Sequence, residues 1–403
     1  MKATGIVVEY NPFHNGHHLH ANAAKETTNA DVVIAVMSGN FLQRGEPAIV
    51  DKWFRTEMAL KNSVDIVFEL PYVFATAHAP NFAEGAIRLL DAALCEHYCF
   101  GSEDGQTTSF QQALQLIRQN HDSYEQSIRQ AVEQGLSYPK ALNEAYKSIQ
   151  QFGDATTVVD LTKPNNILGF HYMLAAEKIQ SKMSAATITR VGAQYHDQEF
   201  SNQSIGSATA IRQSFFQSSS LDGVQNFMPT SVYDLLLQAQ AEHIPFANWE
   251  MLYPYLRFTI LREGPENLQK IADIVEGIEN LMYRAALQAE NFSQFMTLIK
   301  SKRYTWTRLQ RMLTHILTGV QQTTRDTIQE PSYLRLLGMT ENGRNYLNTY
   351  KKAFRLPLLT KVGNANDPSL TLDIHTANMY YQSTGQFQAV NRDYKQSPIY
   401  MRL

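Results

Sequence analysis

The sequence predicts an α/β domain on a parallel sheet, carrying a helical insertion and followed by a mostly α-helical domain. Three observations lead there. Over the first 100 residues, short continuously apolar runs alternate with stretches of helical period, the pattern of strands covered on both faces by crossover helices. From Thr107 to Gln151 the apolar spacing is helical only. After Ser218 helical windows follow one another, and clear parallel strands stop. The boundary is placed at Ser218-Ser219-Ser220, the best linker-like stretch, giving domains 1–218 and 219–403.

Taken in order, residues 5–8 (Gly-Ile-Val-Val) form the first strand and residues 15–25 the first helix. Strands follow at 31–37, at 65–71 (closed by Pro71) and at 97–100 (ending before Gly101), with helical period at 52–61 and 81–93 between them. Phe110, Leu114, Ile117, Ile128, Ala131, Leu142 and Tyr146 carry the insertion's helical spacing. A further helix opens at Pro164, a residue suited to a first helical turn. Residues 186–191 alternate and read as the last strand. Ser207 or Thr209 caps the next helix, leaving Arg212 one turn in. In the second domain, helices are expected at 232–242, 252–262, 268–288, 292–299, 308–317, 332–337 and 341–350, with a weak strand-like run at 370–372. Ligands of parallel α/β sheets bind outside the carboxyl ends of the strands. The loops of interest are therefore 11–14, 38–51, 72–80 and 101–105.

Composition narrows the class. A chain of 403 residues can hold two or three domains, and 44% hydrophobic with 18% charged residues is ordinary for a globular protein. The net charge of −3 excludes a global polycation, so any RNA-binding surface is a local patch. Cys95 and Cys99 are too few for a disulfide framework and point to a reducing compartment. Their spacing offers half a metal site with no cysteine for the other half, so no protein-bound metal is expected. No apolar run reaches 18 residues. The expectation is a cytoplasmic protein without a signal peptide or membrane span.

Chemistry concentrates where the first strand meets the first helix, at His14-Asn15-Gly16-His17. A helix start presents free N–H groups to an anion, glycine allows close approach, and each imidazole can donate to a phosphoryl oxygen. This His-x-Gly-His is the signature of the nucleotidyltransferase superfamily. Ser207-Ala208-Thr209-Ala210-Ile211-Arg212 resembles the Ser-x-Thr-x-Ile-Arg segment of that superfamily, where hydroxyls and an arginine at a helix start suit the β- and γ-phosphates. Gly101 at a strand end lets a base or ribose pack on main chain. Asn165 and Asn166 at a helix start can read adenine edges or ribose hydroxyls. Gln43 and Arg44, in the long loop after the second strand, are candidates for a substrate carboxylate or for RNA. In the second domain, Lys300, Lys302, Arg303, Arg308 and Arg311 interleave with Tyr304 and Trp306 without an acid, a combination that binds phosphates and stacks on bases of single-stranded RNA.

Longer motifs bring a closer likeness. The runs 5–17, 36–47, Phe68-Glu69-Leu70-Pro71, Phe100-Gly101-Ser102-Glu103, 163–169 and 302–311 resemble the bacterial tRNA(Met) cytidine acetate ligases over nearly the whole chain. The resemblance implies a Rossmann-like His-x-Gly-His nucleotidyltransferase domain and a helical tRNA-binding domain. It implies an enzyme that activates acetate with ATP to acetyl-adenylate, Mg²⁺ accompanying the triphosphate. The acetyl group would pass to the N4 amine of the wobble cytidine in the anticodon loop of elongator tRNA(Met). It places ATP against Val7, Val8, Glu9, Tyr10, Asn11, Pro12, Phe13, His14, Asn15, Gly16, His17, His18, Leu19 and His20, with Gly101, one of Asn165 and Asn166, and Arg190. His14, His17 and Arg212 would act on the reacting phosphate, with Ser207 and Thr209 at the leaving group. Two other readings stand beside it: a nucleotidyltransferase for a phosphorylated metabolite, which would be a shorter chain, and a non-catalytic tRNA-binding protein, which would not need His14, His17 and Arg212.

Overall fold

In the computed structural model the expected α/β class holds. The structure describes residues 1–136, 138–150, 159–190, 206–275, 277–363 and 366–402. The ends of two expected elements, Gln151 and Val191, lie outside these, as do residues 204–205. The strands are β1 (Ala3–Val8), β2 (Val32–Ser38), β3 (Ile66–Leu70), β4 (His97–Ser102), β5 (Ser184–Thr189), β6 (Leu334–Thr340), β7 (Leu358–Leu359) and β8 (Ile399–Met401). They form one eight-stranded sheet in the order β5-β4-β1-β2-β3-β6-β7, with β8 also paired to β6. β1 to β5 are parallel throughout. The chain winds from β1 outward to β3, then returns to place β4 on the other side of β1. That reversal opens a crevice at the carboxyl ends of β1 and β4, the usual ligand position in such sheets.

Alternate side chains of β1 and β2 feed two core layers. Ile6, Val8, Val33 and Ala35 pack with Ala21 and Ala24 of helix Asn15–Thr27 and with Ile211, Val232 and Leu236. Val32, Ile34 and Val36 pack on the other face with Ile87, Leu90, Phe170 and the larger helical body. Both faces are dry, which is why these strands read as unbroken apolar runs.

The second half of the chain departs from expectation in three places. Residues 332–337, expected as helix, contain the start of β6, which runs antiparallel against β3. The run Leu334-Arg335-Leu336-Leu337 is buried on both faces and so shows no alternation. Residues 370–372, read as strand-like, lie in helix Pro368–Ser383, whose N-cap Asp367 accepts from the Leu370 N–H at 3.0 Å. The window 268–288 is split: helix Trp249–Leu268 ends, and helix Ile278–Gln288 starts after Gly277 at φ 80°. The division at 218/219 falls at the left-handed C-cap Ser219 (φ 55°), but the sheet crosses it, because β6, β7 and β8 come from the second half.

A buried charge cluster ties that return together. Lys52 Nζ sits 2.7 Å from Glu69 and 2.8 Å from Asp393, and Arg335 reaches Asp393 at 2.9 Å and Glu69 at 3.5 Å. All four side chains are almost wholly buried. Two cations face two anions, so the group is neutral as a whole.

Candidate active site

β1 ends at Val8, and Tyr10 turns the chain with a left-handed φ of 52°. Tyr10 and Phe13 are buried, 4.6 Å apart between ring centres, and both pack on His17 at 4.9 and 5.6 Å. His14 is the N-cap of helix Asn15–Thr27. Its Nδ1 accepts from the Gly16 N–H at 3.1 Å, and His17 Nδ1 accepts from the His14 N–H at 3.2 Å. This is a capping box built from two imidazoles. The rings stack with centres 3.6 Å apart and planes at 23°.

That cap selects the tautomer. An Nδ1 that accepts carries no proton, so each neutral ring holds its proton on Nε2. Burial pulls His14 down to about 3, with Arg190 and Arg212 adding to the effect. Burial also holds His17 well below the ordinary imidazole range, helped by His14 and Arg190. Both rings stay neutral near pH 7, each with an Nε2–H to donate. His20, one turn on, is pulled to about 4 by burial and by Arg190, and its Nε2 is buried without a hydrogen-bond partner among the described residues. His18 instead pairs its Nε2 with Asn22 at 3.1 Å.

The other side chains of the 7–20 stretch are placed as follows. Val7 and Val8 pack into opposite core layers, and Leu19 is 51% exposed. Asn15 donates to the Asn226 carbonyl at 2.9 Å. The peptide before Pro12 is cis, and Asn11 Oδ1 accepts from the Ile49 N–H at 2.7 Å. Glu9 Oε1 accepts from the Gln43 N–H at 2.7 Å.

Two arginines flank the histidines. Arg190 follows β5 and lies across Gly101 of β4: a Cβ at Gly101 would stand 3.2 Å from Arg190 Cγ. Arg190 Nη1 donates to Asn165 Oδ1 at 3.0 Å, and Asn165 Nδ2 donates to Glu103 at 2.6 Å. Asn166 behaves differently. Its Oδ1 accepts from the N–H groups of Glu103 and Asp104 at 2.9 and 3.1 Å, and its Nδ2 donates to the Asp160 carbonyl at 3.1 Å. Asn166 is thus spent inside the fold, while Asn165 sits with Arg190 and Gly101. On the other side Ser207, rather than Thr209, caps helix Ala208–Ser218, accepting from the Ala210 N–H at 3.1 Å. Thr209 lies in the first turn. Arg212 donates to the Asn11 carbonyl at 2.7 Å and to Glu46 at 3.0 Å.

The loop 38–51 closes the crevice. Arg55, which sequence reading passed over, is fully buried and donates to the carbonyls of Val50 (3.1 Å), Glu9 (2.7 Å), Ser38 (3.0 Å) and Gly39. It joins the carboxyl ends of β1 and β2, and the only signal was an arginine inside an apolar helical stretch. Gly45, at φ 75°, lies against helix Trp306–Thr318: a Cβ there would be 2.4 Å from the Arg311 nitrogen. Thr314 Oγ1 donates to the Gly45 carbonyl at 2.7 Å, and Tyr380 OH to that of Ala48 at 2.8 Å.

The basic stretch 300–311 divides. Tyr304 is buried, with its OH 3.4 Å from the Val275 carbonyl and its ring under Arg308 at 5.1 Å and Arg303 at 5.9 Å. Its expected role as a base-stacking surface is corrected to that of a core residue whose covered ring leaves no face for a base. Arg311 turns inward onto the Gln43 carbonyl at 3.5 Å. Lys300, Lys302, Arg303 and Trp306 remain at the surface, Trp306 45% exposed. Among the described residues no three His, Cys, Asp or Glu side chains converge as a metal cage, and no helix is long and apolar enough to cross a membrane.

The chain belongs to the HIGH Nucleotidyl Transferase family, whose model matches residues 1–397. Within that class it is similar to proteins named tRNA(Met) cytidine acetate ligase. The one from Lysinibacillus sphaericus (strain C3-41) is 49% identical over 402 residues, covering 99% of this chain and 100% of its own. The one from Geobacillus sp. (strain WCH70) is 47% identical over 373 residues, 91% of each chain. Among solved structures, apo Thermotoga maritima TmcAL (form I) superposes with a TM-score of 0.92 at 33% identity. The alpha-thio ATP-bound form II of that protein gives 0.91 at 32%; both cover 100% of each chain.

Proposed function

We propose that this chain is an ATP-dependent tRNA(Met) cytidine acetate ligase that forms acetyl-adenylate and acetylates the N4 amine of the wobble cytidine of elongator tRNA(Met). One observation carries the chemistry: two stacked imidazoles at a helix N-terminus, each with Nδ1 held by a backbone N–H and so its proton on Nε2, lie close to Arg190 at the crevice beside β1, with Arg212 near His14. An acetate oxygen attacks the α-phosphorus and pyrophosphate leaves in line. Charge grows on the equatorial and leaving oxygens, where the Nε2–H groups of His14 and His17 donate and need no reorganisation. Arg212, released from Glu46, and the Ser207-capped helix start take the pyrophosphate. Gly101, Asn165 and Arg190 hold the adenosine side. Mg²⁺ accompanying the triphosphate would supply charge neutralisation at the phosphates, no cluster of described side chains being there to hold it apart from the nucleotide. The cytidine amine then attacks the acetyl carbonyl and AMP leaves. Lys300, Lys302, Arg303 and Trp306 meet the anticodon arm. A tRNA substrate supports a cytoplasmic setting for the reaction.

The test supplies ATP, radiolabelled acetate and total tRNA, and identifies the labelled nucleoside. Label in acetylcytidine from tRNA(Met), with acetate-dependent ATP–pyrophosphate exchange, is expected. Exchange driven only by a phosphomonoester would sink the reading. Lys302→Ala with Arg303→Ala is expected to weaken tRNA binding and flatten its salt dependence; an unchanged affinity removes this surface from the interface.

A further inference from the structure

The two half-reactions make different demands, and the histidines meet only the first. Adenylate formation needs charge stabilisation without proton transfer. Acyl transfer needs a proton acceptor, because the exocyclic nitrogen of cytosine has its lone pair drawn into the ring and must shed a proton as it bonds to carbon. His14 and His17 cannot accept it. Their Nδ1 atoms are taken by backbone N–H groups and their Nε2 atoms already carry protons.

Glu9 stands on the other side of the same loop. Along β1, Ile6 and Val8 face the layer of helix Asn15–Thr27, and Val7 faces the opposite layer. Glu9 continues on the side of Val7. Its Oε1 is fixed by the Gln43 N–H at 2.7 Å, and Gln43 is anchored in turn by Nε2 on the Ala77 carbonyl at 3.0 Å. Its main-chain carbonyl is clamped by Arg55. The Ser207 cap belongs to the helix on the Ile6 and Val8 side, from which Arg212 reaches over to the Asn11 carbonyl and Glu46. In-line displacement sets the attacking oxygen opposite the departing pyrophosphate. With pyrophosphate toward the Ser207-capped helix start, the acetyl group ends on the Glu9 side, where the cytidine must arrive. Burial, with the charge of Glu46 adding, lifts the Glu9 carboxyl above its usual range against the Gln43 N–H, Arg44 and Arg55, which makes it a stronger acceptor near neutral pH.

We propose that Glu9 is the catalytic base of acyl transfer, a role that rests on the ligase reading above. The cytidine nitrogen bonds to the acetyl carbon and the bond from that carbon to the phosphate oxygen breaks. The electron pair leaves with AMP, and the amine proton passes to Glu9 Oε2 and then to water.

Glu9→Gln keeps an oxygen for the Gln43 N–H but cannot take the proton. Acetate-dependent ATP–pyrophosphate exchange and acetyl transfer to tRNA are measured on the same preparation. The ratio of transfer to exchange is expected to fall about 100-fold or more, and the acid limb of the transfer pH profile to disappear. Glu9→Asp is expected to restore that limb at a reduced rate. A ratio within threefold of the unmodified enzyme, or equal loss of both activities, overturns the proposal. Absence of acetate-dependent exchange in the unmodified enzyme overturns the ligase reading itself, a separate outcome.

Discussion

At the scale of the residue, the backbone chooses the chemistry of the two histidines. Ser or Asp would cap this helix as well as His14 does, but neither would leave a neutral ring N–H donor. The same burial has a thermodynamic signature. Below its ordinary value near 6.5, His14 takes up a proton in the unfolded chain but stays neutral in the native one down to about 3. The unfolded state therefore binds more protons, and stability falls as pH falls through that window, by about 1.4 kcal/mol per pH unit for such a group. His14→Asn retains a capping side chain and removes the titration. Urea unfolding between pH 6 and pH 4 is expected to show a slope flatter by about 1.4 kcal/mol per unit, and ATP–pyrophosphate exchange at pH 7.5 to drop by about 10²–10³. An unchanged slope would mean that His14 titrates normally in the native protein.

At the scale of the element, the loop 38–51 decides how the nucleotide site communicates with the helical body. Glu46 engages Arg212, Gln43 engages Glu9, and Gly45 seats against helix Trp306–Thr318. Gly45→Ala meets both a left-handed φ and the Arg311 backbone. A loss of about 2–4 kcal/mol is expected in urea unfolding, with tRNA acetylation falling further than exchange; a loss below about 0.5 kcal/mol would show that the loop docks elsewhere. The motif in this crevice was readable beforehand, because His14, Gly16 and His17 lie together in sequence. Arg190 was singled out only through family likeness, whereas Gly101 and Arg212 also had a physical reading, a glycine at a strand end and an arginine at a helix start. The different partners of Asn165 and Asn166 were not readable at all: both stand at one helix start, and only folded contacts with Glu103, Asp104 and Arg190 tell them apart. Arg55 was passed over and Tyr304 misjudged for one reason. A charged or aromatic side chain in a helical stretch does not announce whether it points to core or solvent.

At the scale of the whole molecule, β1 to β4 were legible because burial on both faces leaves largely apolar runs, and β5, a half-exposed edge strand, because its residues alternate. β6 was not, since an apolar run of that length fits a buried helix equally well. Its place in the sheet depends on partners far along the chain, among them the charge cluster of Lys52, Glu69, Arg335 and Asp393. Asp393→Ala leaves two buried cations against one anion. A cost of about 3–5 kcal/mol is expected, read as a lowered urea midpoint; a change under about 1 kcal/mol would mean that the cluster is solvated and contributes little.

The antiparallel seat of β6 on β3 also sets an order of events on the ribosome. β3 emerges early, and its outer edge is an apolar strand with unpaired amides. The strand that covers it begins only at Leu334. At about 5–20 residues per second, the nascent chain carries that open edge for on the order of 10–50 s. During synthesis the nucleotide-binding half is thus a sheet waiting for its last strands, and the end of the message closes what the beginning opened.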